Sequence, residues 1–221
     1  DAALDRLMTT IEGKPLTEPN KLRFVTGARR RQWHRNCVAI GLSAGFMEPL
    51  ESTSIHLIQR AVLRLIRMLP LSTVSERDIA EFNEQQFADM AQIRDFLILH
   101  YKATERRDSA FWRHCAAMEV PDTLAQRIEL FRETGRVFRK NEELFAENSW
   151  VQVMMGQGIM PRAHHPIAEK LKDEELGQLL ETLRGSVSKT VAGLPAHDAY
   201  VARYCGASPA DGGSRAEQAA G

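Results

Sequence analysis

The stretch GFMEPLESTSIHLIQ, residues 45–59, decides how the rest of the chain is read. Glu48, Pro49 and Glu51 stand directly before three hydroxyls, Ser52, Thr53 and Ser54. Beyond them Ile55, Ile58, Ala61, Val62, Leu65, Ile66 and Leu69 recur at i, i+3 and i+4 spacing, with His56, Arg60, Arg64 and Arg67 between them. That period predicts an amphipathic helix with the aliphatic stripe inward and the basic residues on the other face. Pro70 ends it, and the Ser-Thr-Ser triplet supplies its N-cap.

A helix mouth of this kind presents unpaired amides and the positive end of the macrodipole, so it favours an anion near Thr53 and Ser54. A nucleotide phosphate loop is excluded, because no Lys precedes the hydroxyls and two carboxylates would repel phosphate. A monovalent halide held by amides and a hydroxyl tolerates such a neighbour better. Two roles are open to Glu51: capping the helix, or acting as a base on a substrate.

Outward from this stretch the chain divides into a short β region and a helical body. KLRFVTG (21–27) and NCVAIGL (36–42) predict two neighbouring strands, joined by ARRRQWHR. The Arg cluster with Trp33 inside it suits phosphate or single-stranded nucleic acid as a ligand, or simply a solvated connection between strands. A long helix is predicted from about Ser75 to Arg106. Ser75 and Asp78 have capping-box spacing, and Ile79, Phe82, Met90, Ile93, Leu97 and Tyr101 form its inner stripe. Another follows Pro121, with Leu124, Ile128 and Phe131 inward and Gly135 as its stop. SWVQVMMG (149–156) predicts a short buried helix, and Leu176, Leu179, Leu180, Leu183, Val187 and Val191 an amphipathic one ending near Gly193. The tail from 206 to 221 has no apolar face and reads as disordered.

Composition narrows the function classes. Lys plus Arg and Asp plus Glu each total 29 in 221 residues, so no global charge argues for nucleic acid or an anionic membrane. Cys37, Cys115 and Cys205 form no metal-ligand spacing, and the adjacent His164 and His165 suit a surface loop better than a shared ion, so no metal is expected. The cysteine usage suits a reducing cytoplasm, and no apolar run approaches the roughly 18 residues of a membrane span. The opening DAALDRLMTTIEG, without an initiator Met, reads as a segment of something longer. Phe111, Trp112, Met154 and Met155 are expected in the core.

GLSAGFMEPLESTSIHLIQ resembles the signature of the flavin-dependent tryptophan halogenases. LRFVTGARRRQWHRNCVAIGL before it, and RDFLILHYKATERRDSAFWR and FAENSWVQVMMGQGIMPRAHHP after it, are similar to successive blocks of that family in the same order. The resemblance implies a mainly α chain with a short β region, the C-terminal half of a flavin monooxygenase-like halogenase fold of the FAD/NAD(P)-binding type. Residues 1–50 would end the flavin-binding region, and 51–205 would form the helical substrate side.

In the family, reduced FAD takes up oxygen, a bound chloride or bromide becomes hypohalous acid, and this oxidant crosses a tunnel to a separately bound indole. Carried over by position, the resemblance implies Thr53 and Ser54 as halide-binding groups and Leu42, Gly45 and Ile55 as flavin-lining positions. It implies Glu51 as the catalytic, substrate-facing carboxylate, and Phe145 and Trp150 on the substrate side. Ser54 stands where the best-known members have Gly. The family's GxGxxG fingerprint, its spaced tryptophans and the block with its catalytic lysine are absent, which implies a segment inactive alone. GRVFRKNEELFAENSW lacks the family's paired tyrosines, leaving tryptophan, free indole, another indole derivative or a larger aromatic open as substrate. The implied partners are a flavin reductase and an aromatic small molecule, with a homodimer left open. An FAD-dependent aromatic hydroxylase and a non-catalytic helical interaction module are the other readings.

Overall fold

The computed structural model describes residues 2–70 and 72–206, which fall into two compact units, Asp1–Ala163 and His164–Gly221. The strand-and-loop stretch up to residue 50 and the helices from there to residue 163 therefore belong to one unit. Most of the tail expected to be disordered, 207–221, lies outside the described residues.

The first unit begins with a helix that the sequence reading missed, α1 (Ala2–Thr10), followed by β1 (Gly27–Ala28), β2 (Trp33–His34) and β3 (Cys37–Val38). A 3-10 turn at Gly41–Ser43 leads into β4 (Gly45–Phe46). The helices are α2 (Ser54–Met68), α3 (Glu76–Ala103), α4 (Ala110–Ala117), α5 (Asp122–Thr134) and α6 (Glu147–Gly156). The second unit holds a 3-10 turn at Pro166–Lys170, then α7 (Asp173–Ala192) and α8 (His197–Tyr204). The chain is mainly α with a short β region, as expected.

The strands pair differently from expectation. Residues 21–27 and 36–42 are not neighbours: Gly27 lies opposite Phe46 and Ala28 opposite Gly45, while Trp33 pairs with Val38 and His34 with Cys37. Residues 21–26 form no strand, and Leu22, Phe24 and Val25 are exposed. An extended run becomes a strand only where a ladder partner takes up its amides and carbonyls, and the ladder with β4 begins at Gly27, although Phe24 meets the Phe46 ring edge to face at 4.7 Å. Gly45 is required by close approach, since a Cβ there would come within 2.7 Å of Gly27 O and 2.9 Å of Ala28 Cα.

α3 is the central helix. Ser75 caps it, its Oγ accepting from the Asp78 amide. Its Phe96 and Leu99 meet Leu124, Ile128 and Phe131 of α5 and Trp150 and Met154 of α6 in the larger core cluster. Its Ile79 and Phe82 hold Trp33 in a second cluster. Asn83 locks β2 in place, its Oδ1 accepting from the amides of Gln32 and Trp33 and its Nδ2 donating to Trp33 O. α5 stops at Gly135, which takes a left-handed φ of 67°.

α2 turns only part of the expected stripe inward: Leu65 packs on the Trp33 cluster, and Arg67 of the basic face is exposed as expected. Ala61 and Arg64 are buried, whereas Ile55, Val62, Leu63, Ile66 and Leu69 are exposed. The guanidiniums go inside because α3 supplies their partners. Arg64 donates to Gln85, Gln86 and Asp89, and Arg60 makes two bonds to Asp89. The helix ends at Met68, with Leu69 extended ahead of Pro70.

Other core expectations divide. Met154 is fully buried but Met155 is not, and Phe111 is exposed at a helix edge where it meets Trp112 edge to face. α7 spans the expected residues, yet no described residue of the second unit is buried.

Candidate functional site

Pro49 and Ser52 close a turn, the Ser52 amide donating to Pro49 O at 2.9 Å. Ser52 then takes φ of 53°, a left-handed conformation that a residue bearing a Cβ adopts only at a cost. This reversal separates Glu51 from Thr53 and Ser54 and sends them into different surroundings.

Thr53 and Ser54 line a cavity of about 260 Å³ together with Gly41, Leu42, Ala44, Gly45, Leu57 and Ile58. Thr53 is the N-cap residue of α2 but makes no side-chain capping bond, so the expected hydroxyl cap is not formed. The first-turn amides are left without a side-chain acceptor. A buried Thr hydroxyl and uncapped amides beside an apolar wall can hold a small, weakly hydrated anion. Of the three positions carried over as flavin-lining, Leu42 and Gly45 lie on this cavity. Ile55 does not, pointing outward at 78% exposure.

Glu51 is not part of that lining. Its Oε1 lies 3.1 Å from His100 Nε2, in the last turn of α3. The His100 ring packs edge to face on Phe96 at 4.8 Å, and Phe96 in turn stacks on Phe145 at 3.8 Å and meets Trp150 edge to face at 4.8 Å. Glu51 is thus joined to Phe145 and Trp150 through two residues of α3. Trp150 is 2% exposed, with Arg127 over its ring at 4.1 Å and its Nε1 buried without a partner. Arg127 is fixed by a two-bond pair with the buried Glu143.

The neighbouring carboxylate, Glu48, accepts from Tyr101 Oη at 2.7 Å and buries its other oxygen unpaired. Burial and the bond to Glu48 push the Tyr101 phenol up to about 12. His56 sits beside Arg60 with its Nε2 buried and unpartnered. Burial first, then the Arg60 charge, holds its imidazole below the usual range against the opposing pull of Asp89.

His100, Tyr101 and Glu48 were not read as site residues from sequence. The signal available was weak: two adjacent polar-tipped rings directly after the apolar run Phe96, Leu97, Ile98, Leu99. The Arg cluster does not become a stacking site, because Trp33 is buried against Phe82 with its Nε1 bonded to Arg35 O. His164 is exposed and faces Glu169 at 3.4 Å. No group of metal-ligating side chains occurs among the described residues, and none of their helices is long and apolar enough to cross a membrane.

A family profile described as Tryptophan halogenase matches residues 1–173. KtzR of Kutzneria sp. (strain 744), a 7-chloro-L-tryptophan 6-halogenase, is 33% identical over 194 residues, covering 86% of this chain and 37% of its own length. Among solved structures, Xcc4156, a flavin-dependent halogenase from Xanthomonas campestris, superposes with a TM-score of 0.89 at 54% identity, over 94% of this chain and 42% of its own. BrvH, a flavin-dependent halogenase from Brevundimonas sp. BAL3, does so with a TM-score of 0.84 at 41% identity, over 90% and 41%. The chain therefore spans roughly two fifths of the length of these relatives. With a profile match over most of its residues and relatives of this identity, the chain belongs to the tryptophan halogenase family.

Proposed function

We propose that the chain is the halide-loop and substrate-side portion of a flavin-dependent halogenase that uses reduced FAD, oxygen and chloride or bromide to halogenate tryptophan or another indole-type aromatic. The observation that carries this reading is the backbone reversal at Ser52, which leaves the Thr53 and Ser54 hydroxyls on one cavity while Glu51 reaches the aromatic cluster of α3 and α6.

The residues fit part of the cofactor. The cavity is apolar apart from a few groups and smaller than the roughly 300–1,000 Å³ that bury a whole ligand of drug size, so it suits one edge of a ring system. Leu42 and Ile55, 75% and 78% exposed, suit positions that the flavin and the polypeptide holding it would cover. Reduced FAD, when bound, would supply two electrons to oxygen, taking it to the peroxide level at which it can oxidise the halide.

The chain's own residues then have separate tasks. The Thr53 hydroxyl and the Ser54 amide hold the halide at the helix mouth. Phe145, half-buried, forms the aromatic side of the substrate site and helps exclude water, with the buried Trp150 behind it on the Phe96 ring. Glu51 positions the halogenating species at the ring or accepts the proton that the ring loses on substitution. Turnover requires the flavin-holding portion found in the longer relatives, and a flavin reductase supplies the reduced cofactor.

Bromide soaked into crystals tests the halide loop. An anomalous peak beside Thr53 and the Ser54 amide, kept in Glu51→Gln, is expected. No peak at that helix mouth would remove Thr53 and Ser54 from halide binding.

A further inference from the structure

His100 makes two polar contacts, and together they count its protons. Its Nδ1 lies 2.8 Å from Phe96 O on the preceding turn of α3. A carbonyl oxygen only accepts, so Nδ1 carries a hydrogen. Its Nε2 lies 3.1 Å from Glu51 Oε1. An imidazole with its single hydrogen on Nδ1 presents a bare lone pair at Nε2, and a carboxylate oxygen presents another. Two lone pairs at that distance repel, so the contact requires a further proton between them, carried either by Nε2 or by the Glu51 carboxyl.

We propose that His100 is a positioning residue for Glu51, carrying hydrogen on both ring nitrogens and donating the second, from Nε2, to Glu51 Oε1. This rests on the halogenase reading for its purpose but not for its geometry. The ring is held from two directions, by the Phe96 carbonyl and by the Phe96 ring at 4.8 Å. Its side chain is 19% exposed and that of Glu51 34%, so the pair is half withdrawn from water. Charge-assisted bonds of this type are among the stronger ones, and this one fixes a carboxylate borne on a loop to a rigid helix. With Oε1 engaged, Oε2 is the oxygen left to face the aromatic ring. The other carboxylate of the loop, Glu48, is engaged by Tyr101 and does not share His100. The connection also explains why Glu51 and Phe145 are held in register: Phe96, which orients His100, is the ring on which Phe145 stacks.

The test is nitrogen NMR of the chain labelled with ¹⁵N at histidine, at neutral pH, with His100 assigned by His100→Phe. Two protonated ring nitrogens at His100 are expected, with the Nε2 signal altered in Glu51→Gln. A His100 that shows one protonated nitrogen and a bare Nε2 in the wild-type chain would overturn the proposal. In a halogenating assembly containing this chain, His100→Phe is expected to lower kcat by about 10²-fold with KM little changed, and His100→Gln to restore part of the loss. An unchanged kcat in His100→Phe would also overturn it. The NMR result does not depend on turnover, so absence of halogenated product beside a doubly protonated His100 would refute the halogenase reading alone.

Discussion

Arg64 Nη2 lies 2.8 Å from Asp89 Oδ2, a buried ion pair on the face of α2 that the sequence period assigns to solvent. Arg60 converges on the same carboxylate through Asp89 Oδ1 and Oδ2, so one acid on α3 neutralises two guanidiniums of α2. Removing it leaves Arg64, a side chain only 8% exposed, without an acid partner, and leaves Arg60 only the exposed Glu142 at 3.4 Å. Asp89→Ala is therefore expected to lose about 3–5 kcal/mol of stability in denaturant unfolding. A loss below about 1 kcal/mol would show that the pair contributes no more than a surface bridge.

Tyr101 gives a pH dependence with a fixed sign. Its phenol is raised from 10.0 to about 12 in the folded chain, so the folded state holds that proton more tightly than the unfolded one. Its contribution to stability is full below pH 10 and is lost as the pH rises from there through about 12. Absorbance titration of the chain's three tyrosines should show one ionising last, near 12, and Tyr101→Phe should remove that step. Three tyrosines titrating together near 10 would contradict the buried bond to Glu48.

Ser52 tests the loop itself. With φ of 53°, Ser52→Gly relieves a left-handed residue of its Cβ, whereas Ser52→Val adds a branched one. The valine variant is expected to be about 1–2 kcal/mol less stable than wild type and the glycine variant no less stable. Equal unfolding midpoints for all three would mean that the turn is not held in this conformation in solution.

Elements with local punctuation were legible in the sequence. Ser75 caps α3, Gly135 stops α5, and Leu69 turns extended ahead of Pro70, each through chemistry carried within a few residues. The inward face of α2 was only partly legible: Ala61 and Leu65 turn in as the 3.6-residue period predicts, but the period does not announce the burial of Arg64 beside them. What decided it was Asp89, 25 positions after Arg64. The strand pairing failed for the same reason, since short runs carry no register of their own and Gly45 reaches Ala28 only through the fold. At the site, residues 48–54 announced themselves as a carboxylate and hydroxyl loop. Tyr101, 53 positions after Glu48, and His100 beside it gave no local sign of the partners they meet.

The measurement that tests the account most directly is mass spectrometry of products from indole and tryptophan. It uses this chain within a halogenating assembly, with reduced FAD, oxygen and bromide, and compares wild type with Glu51→Gln. The account predicts a product carrying the bromine isotope pair in the wild type and none in Glu51→Gln, while flavin oxidation continues in both. Oxygenated product formed independently of bromide, or bromination unchanged in Glu51→Gln, would contradict it.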